Sequence, residues 1–105
     1  MFTRNVLIKL KANSATEFTR LMEQEIIPLL RTQPGFRDEI TFVAPERSEV
    51  MAMSFWETAE NAETYNRTAY PQVVKLLTRV IEGVPMVSTF VIATSTFHQI
   101  TAKAA

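Results

Sequence analysis

Ser54-Phe55-Trp56-Glu57-Thr58-Ala59-Glu60-Asn61-Ala62-Glu63-Thr64-Tyr65 carries the only tryptophan of the chain, where an alternating apolar run gives way to a helical one. Before this junction Val50, Ala52, Ser54 and Trp56 share one face of a strand, and Met51, Met53 and Phe55 share the other. After it, Ala62, Tyr65, Ala69 and Val73 recur at helical spacing. Thr58 is the natural N-cap between the two, and Glu57, Glu60 and Glu63 complement the dipole of the helix start. Trp56 and Tyr65 then stand roughly two helical turns apart. Rings so placed can roof a pocket or fill an ordinary core.

Upstream, residues 3 to 11 alternate as a strand, with Val6, Ile8 and Leu10 on one side and Asn5, Leu7 and Lys9 on the other. Ser14-Ala15-Thr16-Glu17 has the spacing of a capping box, and Phe18, Leu21, Met22, Ile26, Leu29 and Leu30 form the apolar stripe of the helix it opens. Pro28 lacks the N–H that would bond the carbonyl of Gln24, which predicts a kink. Pro34-Gly35 suits a tight reversal into a second strand, Glu39 to Val43, and Ala44 to Glu49 reads as a polar hairpin loop before Val50 to Glu57.

Downstream, Pro71 divides the second helical region into a piece ending near Ala69 and a second helix with the stripe Val73, Val74, Leu77, Val80 and Ile81. Gly83 then reads as its cap, Met86 to His98 as the last strand, and 101–105 as a frayed tail after a single domain over 1–100. The order βαββαβ resolves most simply as an α+β ferredoxin-like sandwich with a four-stranded antiparallel sheet, strands 1 and 3 central. The helices cover one face only, yet strands 1 and 3 are apolar on both. A last strand of roughly a dozen residues, about 40 Å long, also outruns its neighbours. A homodimer joined through the sheet face and the C-terminal strand answers both difficulties.

Composition narrows the function classes. Eleven basic and eleven acidic residues in 105 balance to zero net charge, which leaves no footprint for nucleic acid or for an anionic membrane. With no cysteine, thiolate metal sites and Cys nucleophiles are excluded, in keeping with a cytoplasmic protein, and the lone His98 cannot build a metal site by itself. The apolar run at the N-terminus is interrupted by Lys9 and Lys11 too soon for a signal peptide, and no segment approaches a membrane span.

Pro34-Gly35-Phe36 opening strand 2, Ser54-Phe55-Trp56-Glu57 closing strand 3, and Glu60-Asn61-Ala62-Glu63-Thr64-Tyr65 on the next helix together resemble the antibiotic biosynthesis monooxygenase domain, over nearly the whole chain. The resemblance implies a dimeric α/β barrel with a pocket between helices and sheet in each protomer. That domain hosts quinol and polyketide oxygenases, haem-degrading enzymes and members with no established activity. In the haem-degrading branch an Asn on the first strand, an aromatic residue on the second helix and a later His act on the porphyrin. The matching positions here are Asn5, Tyr65 and Lys75, and an ammonium group has no lone pair for iron.

The cofactor-independent branch needs less. There the resemblance implies Asn5, Tyr65 and Tyr70 as catalytic candidates, Asn5 donating to a developing oxyanion and the phenols holding or protonating a substrate oxygen. Trp56 would stack on the substrate ring and Arg67 would attract an anionic substrate. No His lies in the expected pocket, so a base must be a carboxylate such as Glu57, or the substrate must already be acidic. The expected activity is monooxygenation, without a cofactor, of a small aromatic, polyketide or quinol-like compound. The alternative is a non-catalytic homodimer of the same fold that binds a small apolar ligand or serves a structural role. Met51 and Met53 read as dimer-core filling.

Overall fold

The computed structural model describes residues 1–97, so His98 and the tail over 101–105 lie outside the described residues; the expected last strand, Met86 to His98, already ends at Val91, because 92–97 leave the sheet ladder. Its elements are β1 (Phe2–Leu10), α1 (Ala15–Leu21), a π-helical turn (Met22–Ile26), α2 (Ile27–Arg31), β2 (Phe36–Val43), β3 (Glu49–Trp56), α3 (Ala59–Thr68), α4 (Tyr70–Leu77) and β4 (Ile81–Val91). All pairings are antiparallel, in the order β2-β3-β1-β4. Strands 1 and 3 are central, as the sequence predicts, and the fold is ferredoxin-like α+β.

Strand parity decides which residues meet the helices. Phe2, Arg4, Val6 and Ile8 stand opposite Trp56, Ser54, Ala52 and Val50, and this is the covered face. Phe18, Leu21, Ile26 and Leu30 seal it from the first helical region, with Ala62, Tyr65, Val73 and Leu77 from α3 and α4. The other face presents Thr3, Asn5 and Leu7 against Phe55, Met53 and Met51 on one side and Phe90, Ser88 and Met86 on the other. No helix lies on it among the described residues, and Leu7, Phe42, Met51, Met86 and Phe90 are exposed.

Thr58 caps α3 as expected, its hydroxyl oxygen accepting from the Asn61 N–H at 3.0 Å. Gly35 reverses the chain at φ +79°, and a Cβ there would stand 2.2 Å from the Asn61 side chain, so both backbone angle and close approach require glycine. The break between α3 and α4 falls at Ala69, with Pro71 in the first turn of α4.

Several local expectations are corrected. Neither half of the capping box forms: the Ser14 hydroxyl turns to the Ala12 carbonyl, at 3.5 Å, and Glu17 turns to Arg20, at 2.9 Å, and to Arg79. Ahead of Pro28, where the sequence predicts a kink, the chain takes the π-helical turn, and Pro28 enters the first turn of α2, where its missing N–H costs little. The second helical region ends at Leu77, short of Val80 and Ile81. The Lys11 N–H bonds the Val80 carbonyl at 2.9 Å and Leu10 pairs with Ile81, which draws that stretch into the sheet. Gly83 (φ +68°) is therefore a bulge residue inside β4, where Ile8 faces Gly83, Val84 and Pro85.

A second bulge lies in β2. Phe36 pairs with Trp56 and Asp38 with Phe55, so Arg37 is the extra residue, and its guanidinium ties the strand to Glu57. Past this point Glu39, opposite Ser54, falls on the covered face.

Candidate functional site

The most unusual residue of the covered face is Arg4. It sits two positions before Val6 in the inward set of β1 and is only 2% exposed. Its Nη2 donates to Oδ1 of Asn66 at 2.6 Å, and its guanidinium lies 4.1 Å from the ring centroid of Tyr70 and 5.1 Å from that of Tyr65. Among the described residues no carboxylate stands within ion-pair distance of it. Burial lowers the Arg4 pKa, opposed by the two phenols, but a guanidinium keeps its charge at any ordinary pH.

Arg4, Tyr65 and Tyr70 line a cavity of about 40 Å³ between sheet and helices. Aliphatic side chains make most of its wall, among them Val6, Ile8, Val73 and Leu77, while Met22 and Ile26 come from the two ends of the π-helical turn. The remaining charged group is Glu39. Its carboxylate accepts from the Thr41 hydroxyl, and burial raises its pKa, only partly offset by that hydrogen bond. A half-buried carboxyl of this kind is a better base once ionised than an exposed one.

The phenols are tuned the other way. Burial pushes Tyr65 up to about 12, against the opposing charge of Arg4, and Tyr70 is raised for the same reason. Both therefore stay protonated at neutral pH and keep an O–H that can donate a hydrogen bond. Trp56 holds Tyr65 in place, stacked at 4.9 Å, while its own Nε1–H donates to Ser54 Oγ at 2.9 Å and Phe36 meets it edge-on at 5.6 Å.

Of the residues the sequence nominates, the structure brings together Tyr65 and Tyr70, with ring centroids 6.0 Å apart. It does not bring Asn5 to them. Asn5 is on the uncovered face between Met53 and Ser88, where its Oδ1 accepts from the Thr3 hydroxyl at 3.2 Å. Trp56, with no exposed surface, is behind Tyr65 and does not line the cavity. Arg67 points outward and lies 3.7 Å from Glu63, and Glu57 is exposed and taken up by Arg37. His98 lies outside the described residues.

The residues missed are Arg4 and Glu39, with Asn66 in support. A signal for Arg4 was present, since a lone cation in the alternating series Arg4, Val6, Ile8, Leu10 breaks an otherwise apolar set. Glu39 was hidden by the bulge.

A family profile described as "Antibiotic biosynthesis monooxygenase" matches residues 1–75. Solved structures share the fold at low identity. A Bordetella bronchiseptica protein provisionally named an antibiotic biosynthesis monooxygenase superimposes with a TM-score of 0.73 and 16% identity, over 85% of this chain and 93% of its own. A monooxygenase of Streptomyces coelicolor, ActVA-Orf6, crystallised with nanaomycin D, gives 0.72 and 14% over 85% and 84%. A conserved protein of Methanosarcina mazei gives 0.71 and 15% over 86% and 91%. No curated protein sequence matches the chain. With the profile covering all of β1 to β3, α3 and most of α4, the chain belongs to the antibiotic biosynthesis monooxygenase family and has a monooxygenase-like fold.

Proposed function

We propose that the protein is a cofactor-independent monooxygenase acting on a small aromatic or quinol-like compound in the cavity between helices and sheet. The observation that carries this reading is the gathering, in one apolar cavity, of a buried cation, two protonated phenols and a carboxyl raised by burial. Glu39 removes a proton from a substrate hydroxyl, and Arg4 stabilises the resulting anion electrostatically in a site of low polarity. The electron-rich anion reduces dioxygen. One oxygen atom enters the ring and the other leaves as water, so that a hydroquinone and O2 yield a hydroxyquinone and H2O. Tyr65 and Tyr70 supply protons to oxygen intermediates. Nanaomycin D bound to the Streptomyces coelicolor relative supports an aromatic or polyketide substrate class.

The protein acts as a homodimer in this reading. Its exposed apolar sheet face and the chain after β4, where Ile92, Thr94 and Phe97 share a hollow with Thr3, Met53 and Phe55, form the contact. Oxygen uptake with a panel of hydroquinones and anthrones tests the chemistry. Consumption above the uncatalysed rate, lost in Glu39→Gln, is the expected result. No consumption, with thermal stabilisation by the same compounds retained, would replace the enzyme with a ligand-binding dimer.

A further inference from the structure

Arg4 lacks the partner its burial calls for. Taking a cation out of water is costly unless a counter-charge is supplied. The hydrogen bond to Asn66, a polar contact with the Tyr70 hydroxyl and two aromatic faces return only part of that cost, since none of them carries a negative charge at neutral pH. The nearest acidic groups do not complete it: Glu63 is exposed and close to Arg67, and Glu39 receives the Thr41 hydroxyl elsewhere on the cavity wall. The guanidinium is a planar fork whose geometry matches a carboxylate, and at least part of that fork is left uncommitted by Asn66.

Room is the second constraint. An apolar cavity of about 150 Å³ takes up benzene. The present 40 Å³ is smaller, so a ring enters only as a wall yields. The wall most able to yield carries Met22, a flexible side chain, on a π-helical turn of the kind that recurs at functional sites. Rings beyond the first have no matching allowance in the sheet wall, where Val6, Ile8 and Ala52 are held by strand pairing.

Resting on the oxygenase reading for the site but not on its chemistry, we infer that the cavity selects a single-ring aromatic acid carrying ring hydroxyls, with its carboxylate received by Arg4 and a hydroxyl turned to Glu39. Arg4 is then the specificity-determining residue.

The test compares 2,5-dihydroxybenzoate with 2,5-dihydroxybenzamide, alike in shape and differing in charge. Calorimetry measures the affinity, and the fluorescence of Trp56, stacked on a cavity tyrosine, reports occupancy. The acid is expected to bind at least ten-fold more tightly than the amide to the unaltered protein, the preference to vanish in Arg4→Gln and to persist in Glu39→Gln. Equal affinities in the unaltered protein overturn the inference whether or not Arg4→Gln folds. So does a preference that survives in folded Arg4→Gln. Preferential binding of the acid, with no oxygen uptake from it or from the hydroquinone and anthrone panel, sinks the oxygenase reading and leaves this one standing, whereas turnover of unsubstituted hydroquinone with no acid preference does the reverse.

Discussion

The two faces of one sheet are built from the same strands and similar residues, yet they end in opposite states. On the covered face Trp56, Phe18 and Val50 are lost to solvent entirely, and the one cation there is held by ring faces and an amide. On the other face Phe42 and Phe90 are each 53% exposed and Met86 is 68% exposed. The difference teaches that alternation assigns residues to sides, while cover decides which side is interior: on the helix-free face only Thr3 and Phe55, beside the chain after β4, are buried among the residues named above. A protomer alone leaves Leu7, Phe42, Met51, Met86 and Phe90 of that face exposed.

The contrast is broken most directly by removing a large ring from each side. Trp56→Ala opens a cavity beneath Tyr65 and is expected to cost about 3–5 kcal/mol in denaturant unfolding. Phe90→Ala should cost the protomer under about 1 kcal/mol, since its ring is half in water already. Similar losses from the two substitutions would mean that the uncovered face is as well packed as the core. Next in size, Met51→Asp puts a charge in the middle of the exposed apolar face, and light scattering is expected to report a dimer for the unaltered chain and a monomer for the variant. Monomer in both would overturn the dimeric reading.

Two smaller effects sharpen the electrostatics of the same comparison. The folded carboxyl of Glu39 is raised by burial, so its contribution to stability is full below the unfolded carboxylate value and is lost as pH rises through the folded one. Glu39→Gln should therefore melt higher than the parent at neutral pH and equally in acid. Glu17 is the reverse case: Arg20 and Arg79 hold it at about 2 against an ordinary 4.5. Its contribution is present above the ordinary value and lost as pH falls toward the folded one. Screening by solvent keeps this small, and Glu17→Gln should flatten the melting profile slightly in that acid window alone.

Much of this arrangement is legible in the sequence. The helix-capping Thr58, the Gly35 reversal and the alternating runs of β1 and β3 give element order and sheet centre, since each rests on local chemistry. What stays hidden depends on pairing across distance. Nothing near Val80 reveals that Lys11 will draw it into the sheet edge, and the capping-box spacing of Ser14 and Glu17 cannot show that Arg79, far along the chain, competes for the carboxylate. The site suffers the same way. Asn5 and Arg4 are adjacent in sequence, and one step of strand parity separates a residue of the uncovered face from the charge of the cavity.

The bulge at Arg37 extends that point to heredity. Because one looped-out residue sets which of two neighbouring acids looks inward, the identity of the cavity carboxyl is stored as a count of residues and not as a letter. If the strand slid to absorb Arg37 into the ladder, Asp38 would stand opposite Ser54 and Glu39 would turn toward the exposed face. A shorter acid would then confront the cavity with no substitution having occurred there. A one-residue shift inside the strand is therefore enough to exchange this group, with every letter of the sequence unchanged.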